Sequence, residues 1–212
     1  MDGLDVLGYK YTNIAAAGTF SQSAFDGRIV CSDPNLNFLF QGIFSLSSKT
    51  QNALYQFYAN LGYADLHALN IDKRKISRMS LRTQANFTRV SGEDILGNIR
   101  IDNMVLEDEH GAHNVGNIEI SSHASDDVNR VSLKSKFADG SYVGSRFFNS
   151  FIRDLQTATT RRELPSLYRK NEETWAGNSY DVSLRLHDTR DVLSFFAQPF
   201  HHSLVRVNED FP

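Results

Sequence analysis

Residues 79–87 read Met-Ser-Leu-Arg-Thr-Gln-Ala-Asn-Phe. Met79, Leu81, Thr83, Ala85 and Phe87 alternate with polar neighbours, a period of two that sorts side chains onto the two faces of a β-strand. The pattern recurs in Ile99, Ile101, Asn103 and Val105, in Ile118 and Ile120, and in Val131, Leu133 and Phe137. Ser91-Gly92, His110-Gly111, Asp126-Asp127 and Asp139-Gly140 separate these runs with residues that favour turns. Strands so closely joined imply an antiparallel meander, either closed into a small barrel or packed by one face on helices.

Upstream, Arg28–Cys31 and Leu36–Leu46 read as strands joined by Ser32-Asp33-Pro34-Asn35, where Pro presets φ and Asp and Asn accept local hydrogen bonds. Next, Leu54, Phe57, Tyr58 and Leu61 fall at i, i+3, i+4 and i+7, one face of a helix that Ser47 or Ser48 would cap. Downstream, Asn149 is placed to cap a second helix carrying Phe151, Ile152 and Leu155, with a break at Pro165. Tyr180, Val182, Leu184 and Leu186 alternate cleanly, Asp188 or Thr189 starts a short helix through Phe196, and Leu204–Val207 offers a last strand. The expected fold class is therefore α+β: an antiparallel β meander or small β-barrel with two or three packed helices. Residues 1–27, without a clear period, read as an irregular N-terminal arm, residues 28–164 as the main α+β domain, and residues 165–212 as a C-terminal extension or subdomain.

The chain of 212 residues is 41% hydrophobic with a formal net charge of -3, which favours a folded protein over one that coats nucleic acid. Its 15 Phe and 8 Tyr against one Trp suit a pleated surface. Cys31 is the only cysteine, so an intramolecular disulfide and a cysteine-based zinc site within one chain are excluded. A cytoplasmic or other reducing compartment is expected. The opening MDGLDVLGYK is acidic where a secretory signal carries Lys or Arg, and no apolar run approaches the roughly 20 residues that span a bilayer, so no membrane partner is expected.

The densest charge lies in Ile71–Arg82, IDKRKISRMSLR, where Lys73, Arg74, Lys75, Arg78 and Arg82 precede the meander. Guanidinium forks pair bidentately with phosphate and Lys adds point charge, so Lys73, Arg74, Arg78 and Arg82 are the candidate phosphate-binding residues. A solvated turn paired with acidic neighbours explains the same residues. Arg74-x-x-x-Arg78 ahead of a run of antiparallel strands, over about Lys73–Leu164, resembles PilZ domains. The resemblance implies a small barrel that binds cyclic di-GMP, with Arg74 and Arg78 clamping its phosphates. The second PilZ motif departs here: Asp102-Asn103-Met104-Val105-Leu106 lacks its Ser and Gly.

Glu107-Asp108-Glu109-His110-Gly111-Ala112-His113 has donor types suited to a divalent ion, with His123 a further ligand, but in a Gly-containing turn it lacks the helical HExxH geometry, and no metal site is assigned. His187-Asp188 and His201-His202 supply general-base chemistry for cleaving a phosphodiester if the fold brings them to cations. Nucleotide-binding glycine loops and the GxSxG elbow are absent, no catalytic residue is assigned and no cofactor is expected. The arm, the aromatic strand Phe38-Leu39-Phe40 and the segment Phe195–Phe200 offer apolar groups for another subunit to cover. The leading expectation is a non-catalytic binding or structural subunit of a larger protein assembly, with protein partners or copies of itself. A PilZ-like nucleotide-binding module and a histidine-dependent RNA-binding ribonuclease are the alternatives.

Overall fold

The computed structural model describes residues 4–46, 53–91, 94–125, 128–149, 152 and 179–196. A small antiparallel hairpin comes first, β1 (Leu4–Val6) and β2 (Tyr9–Tyr11). Ten strands then form one antiparallel sheet: β3 (Ile14–Ser21), β4 (Ala24–Asp33), β5 (Leu36–Ser45), β6 (Ala53–Asp65), β7 (Arg78–Ser91), β8 (Asp94–Asp108), β9 (Gly111–Ser125), β10 (Val128–Ser135), β11 (Ala138–Gly144) and β12 (Tyr180–Leu186). Each strand pairs with its neighbours in sequence, and the order ends at β3 on one side and β12 on the other. A single helix, α1 (Arg190–Phe196), completes the described elements. None of the described helices is long and apolar enough to cross a membrane.

This corrects the expected α+β class. The meander is present but does not close into a barrel, and one short helix stands among the described residues in place of two or three packed ones. The helix expected over Leu54–Leu61 is the 13-residue strand β6. Its sequence satisfies both periods, because Ala53, Tyr55, Phe57, Ala59 and Leu61 also alternate. Pairing on both sides, with β5 and β7, fixes the strand. Residues 4–27, read as part of an irregular arm, hold β1, β2, β3 and the start of β4. Of the helix expected from Asn149, Asn149 and Ile152 are helical, while Phe151, Leu155 and Pro165 lie outside the described residues, as do Leu204–Val207 and His201-His202.

Antiparallel partners share a face, so the register reads the sheet row by row. One row runs Gly18, Gly27, Gly42, Phe57, Ala85, Ile99, Ile120, Leu133, Gly140, Leu184 from edge to edge. The next residue in each strand lies on the opposite face and is mostly polar: Gln41, Gln56, Gln84, Asn86, Arg100, Glu119, Lys134 and Asp139 among them. The sheet is amphipathic across its full width.

Two glycines on the apolar face have a backbone that other residues rarely adopt. Gly42 (φ 136) lies opposite Phe57, and Gly97 (φ 132) opposite Phe87. A Cβ at either would fall 2.6 Å from the Cα of the facing phenylalanine. Glycine kinks of this kind bend a sheet, and the facing ring covers the backbone that glycine leaves bare.

The turns β4–β5, β6–β7, β8–β9 and β10–β11 lie at one end of the sheet, and there the molecule acquires a second layer. Leu106 and Val115 are buried with Phe195 of α1, and Met79, Met104, Ile118, Phe137 and Val192 pack around them. Asp188 accepts a hydrogen bond from the Arg190 amide at the helix start, and Asp191 in its first turn pairs with Lys136 at 3.0 Å. The β1–β2 hairpin is tied to the same end through Asp33, which accepts hydrogen bonds from the Tyr9 hydroxyl and from the amide and hydroxyl of Thr12. Asn70 in the β6–β7 loop reaches the Leu7 carbonyl.

Candidate functional site

The basic cluster divides between the two faces. Arg74, in the β6–β7 loop, turns to the apolar side: its guanidinium pairs with Asp72, donates to the Phe195 carbonyl at 2.7 Å and lies 3.9 Å from the centre of the Phe195 ring. It thereby caps the C-terminal end of α1 and fixes the helix on the sheet. Ser77, fully buried, donates to Asp72 as well. These hydrogen bonds, that from Arg74 first, hold the Asp72 carboxyl well below the usual range against the opposing effect of burial.

Arg78 begins β7 between two acids, Glu107 at 2.9 Å and Asp65 at 3.4 Å. Arg82 is exposed further along the same strand, in register with Asn60 and Asp102, and Lys73 and Lys75 are exposed in the loop. Arg74 therefore does not share a surface with Arg78 and Arg82, and the pair proposed to clamp a dinucleotide is committed to helix docking on one side and to flanking carboxylates on the other.

His110, His113 and His187 come to the same end of the sheet as Arg74 and face carboxylates, whereas His123 lies exposed near the opposite end of β9, away from them. His113 is buried, 3.0 Å from Asp108, with its ring edge-on to Phe195 at 6.0 Å between centres. Burial would raise the Asp108 pKa, but the contact with His113 and the His110 amide lower it. His187 meets Asp139 at 2.9 Å across the β11–β12 ends. Among the described residues no cluster of three or more His, Cys, Asp or Glu has the geometry to hold a metal ion. Cys31 is buried, and burial pushes its thiol pKa up, away from nucleophile chemistry.

Among the described residues, the widest surface without a second layer over it is one that no motif marks, the apolar face itself. On it Phe25, Phe40, Phe44 and Phe57 form a connected aromatic group with ring centres 5.1 to 6.5 Å apart, and Tyr55 stacks on Phe87 at 4.7 Å. Ile99, Ile101, Ile118, Ile120, Val131 and Leu133 continue the surface across β8, β9 and β10. Most of these side chains are half-buried: away from α1 they touch one another across the strands, and among the described residues no second sheet lies over them. Near the β12 edge the exposure rises, to 64% at Leu184 and Leu186. Polar groups on the face are few, Thr83, Ser122 and Ser135 among them.

Each strand of the large sheet contributes at least four positions to this face, so the signal was present in the sequence as alternation. What alternation alone did not supply was the register that brings every apolar set to one side. Compared with protein-family models, with curated proteins and with solved structures, the chain finds no match in any of the three.

Proposed function

We propose that this chain is a binding module whose working surface is the apolar face of the open sheet, and that the occupant is a long acyl chain. The supporting observation is the edge-to-edge apolar face, half-buried and without a covering sheet among the described residues. Contiguous apolar surface that runs from edge to edge is the kind that marks a binding site. Hydrocarbon suits it better than protein does. Protein interfaces carry about one hydrogen bond per 100–200 Å², and this face offers few donors or acceptors to make them. An acyl chain needs none, and each methylene it removes from water contributes about 0.8 kcal/mol. The aromatic group at one side and the aliphatic rows at the other give such a chain a continuous path, while the polar face keeps the module hydrated. Assembly with another protein, the leading expectation from sequence, is supported by a separate feature, the edge strand β3.

The test is titration with a fluorescent long-chain fatty acid. Leu133→Asp puts a charge on the apolar face and is expected to weaken binding at least about tenfold, because an unpaired carboxylate there must be desolvated. Arg130→Asp, on the opposite face of the same strand, leaves binding unchanged. Absence of saturable binding by the parent protein, or equal loss in both variants, overturns the proposal.

A further inference from the structure

The two edges of the sheet are built differently. β12 carries Asp181 and Arg185, and charged residues on an edge discourage the addition of further strands. β3, Ile-Ala-Ala-Ala-Gly-Thr-Phe-Ser, has no charged residue and no proline, and all eight of its residues are exposed. Among the described residues it pairs with β4 on one side only, and the β1–β2 hairpin that precedes it belongs to a separate sheet. About 26 Å of unguarded backbone is therefore open to another strand.

Its large side chains specify which strand. Ile14 and Phe20, 37% and 64% exposed, both lie on the apolar face, as their register with Cys31 and Phe25 requires. They are placed symmetrically about Ala17. We infer that β3 pairs antiparallel with β3 of a second copy, about a two-fold axis through Ala17. In that register Ile14 of each copy packs against Phe20 of the other, an aromatic and β-branched pair made twice. Ala16 faces Gly18 and Ala15 faces Thr19, so no bulky or charged pair opposes the contact. A two-fold axis perpendicular to the sheet keeps the apolar side of both copies on the same side, and the ten-stranded faces join into one of twenty strands. Shifting the register by one residue would oppose apolar-face and polar-face positions, which antiparallel pairing does not allow. The inference is independent of what occupies the apolar face.

Light scattering coupled to size-exclusion chromatography, across concentration, is expected to give a dimer. Ala15→Lys with Thr19→Lys places like charges opposite each other on the polar face and is expected to raise the dissociation midpoint about tenfold or more. The matching Glu pair does the same alone, and mixing the Lys and Glu proteins restores a dimer. A second measurement needs no disruptive variant. In a Cys31→Ala background, Ala17→Cys sits on the axis and is expected to cross-link on oxidation, because antiparallel partners lie within disulfide reach. Thr19→Cys, displaced from its own copy by four residues, does not. A monomer at every concentration, a dimer indifferent to the Lys pair, or cross-linking at position 19 in preference to 17 overturns the inference.

Discussion

Leu106 and Ile99 belong to the same strand and the same face, yet their surroundings differ. Leu106 is 2% exposed beneath Phe195, whereas Ile99 remains half-buried with its strand neighbours as its cover. At the turn-bearing end the sheet has a second layer, made by α1 and the β6–β7 loop, and its polar groups there are matched: Arg74 with Asp72, His113 with Asp108, Lys136 with Asp191. Across the open span, the same kind of strand has no second layer among the described residues. The contrast separates two uses of an apolar side chain. At one end it stabilises the fold by burial; over the span it packs on its strand neighbours, with backbone pairing and glycine kinks giving the sheet its shape.

The most direct way to break that comparison is a matched pair of truncations. Leu106→Ala removes a fully packed side chain and is expected to cost about 3 kcal/mol, the transfer loss plus a cavity. Leu133→Ala, on the open span, is expected to cost about 1 kcal/mol, since part of that side chain already faces water. Denaturant unfolding of both proteins reads the difference. Equal costs would mean that the span is as fully covered as the α1 end, and the distinction would fall.

A second pair sharpens the account of the span. Gly42→Ala brings a Cβ 2.6 Å from the Phe57 Cα and imposes a side chain on a φ of 136, with an expected loss of about 2 kcal/mol. Gly140→Ala lies in the same row, but its nearest neighbours, Leu133 and Leu184, stand at 3.6 and 3.8 Å. Its expected effect is within about 0.5 kcal/mol of neutral. If both are neutral, the kink at Gly42 does not hold the sheet in shape.

How far the sequence could be read follows from where periodicity survives the bulges. Met79 to Phe87 and Tyr180 to Leu186 keep strict alternation, and both were legible as strands with the correct set on the apolar face, although that of β12 is exposed. β8 was legible only in part. The expected series Ile99, Ile101, Asn103, Val105 breaks at a register shift between Ile101 and Met104, where Asn103 takes a φ of 52. Beyond it Met104 and Leu106 face α1, so an apolar set one residue out of phase forms the core. β6 was misread because its apolar residues fit two periods and only its neighbours decide between them. The basic cluster was visible as charge, but its roles were not: the contact from Arg74 to Phe195 spans most of the chain, and no local pattern encodes it. The apolar face had the opposite difficulty, since it emerges only when ten strands are put in register.

The N-terminal hairpin offers the smallest effect and the cleanest local readout. Asp33 is buried, and burial alone would raise its pKa. Hydrogen bonds from Tyr9, Asn35 and Thr12 outweigh that and hold it at about 2. A carboxylate with a depressed folded pKa contributes stability above its unfolded value near 3.9 and loses it as the pH falls through the folded one. Docking of β1 and β2 is therefore expected to weaken by about 1–2 kcal/mol between pH 4 and pH 2. Asp72 and Asp108 titrate in the same direction at the α1 end, so global acid unfolding does not isolate Asp33. Amide hydrogen exchange does, because protection in residues 4–11 reports the hairpin alone. Asp33→Asn is expected to lower that protection at neutral pH and to remove most of its pH dependence, while leaving exchange around Leu106 unchanged. Loss of protection at both places in step would show that hairpin and helix form one cooperative cap, and the turn-bearing end would then have to be treated as a single unit.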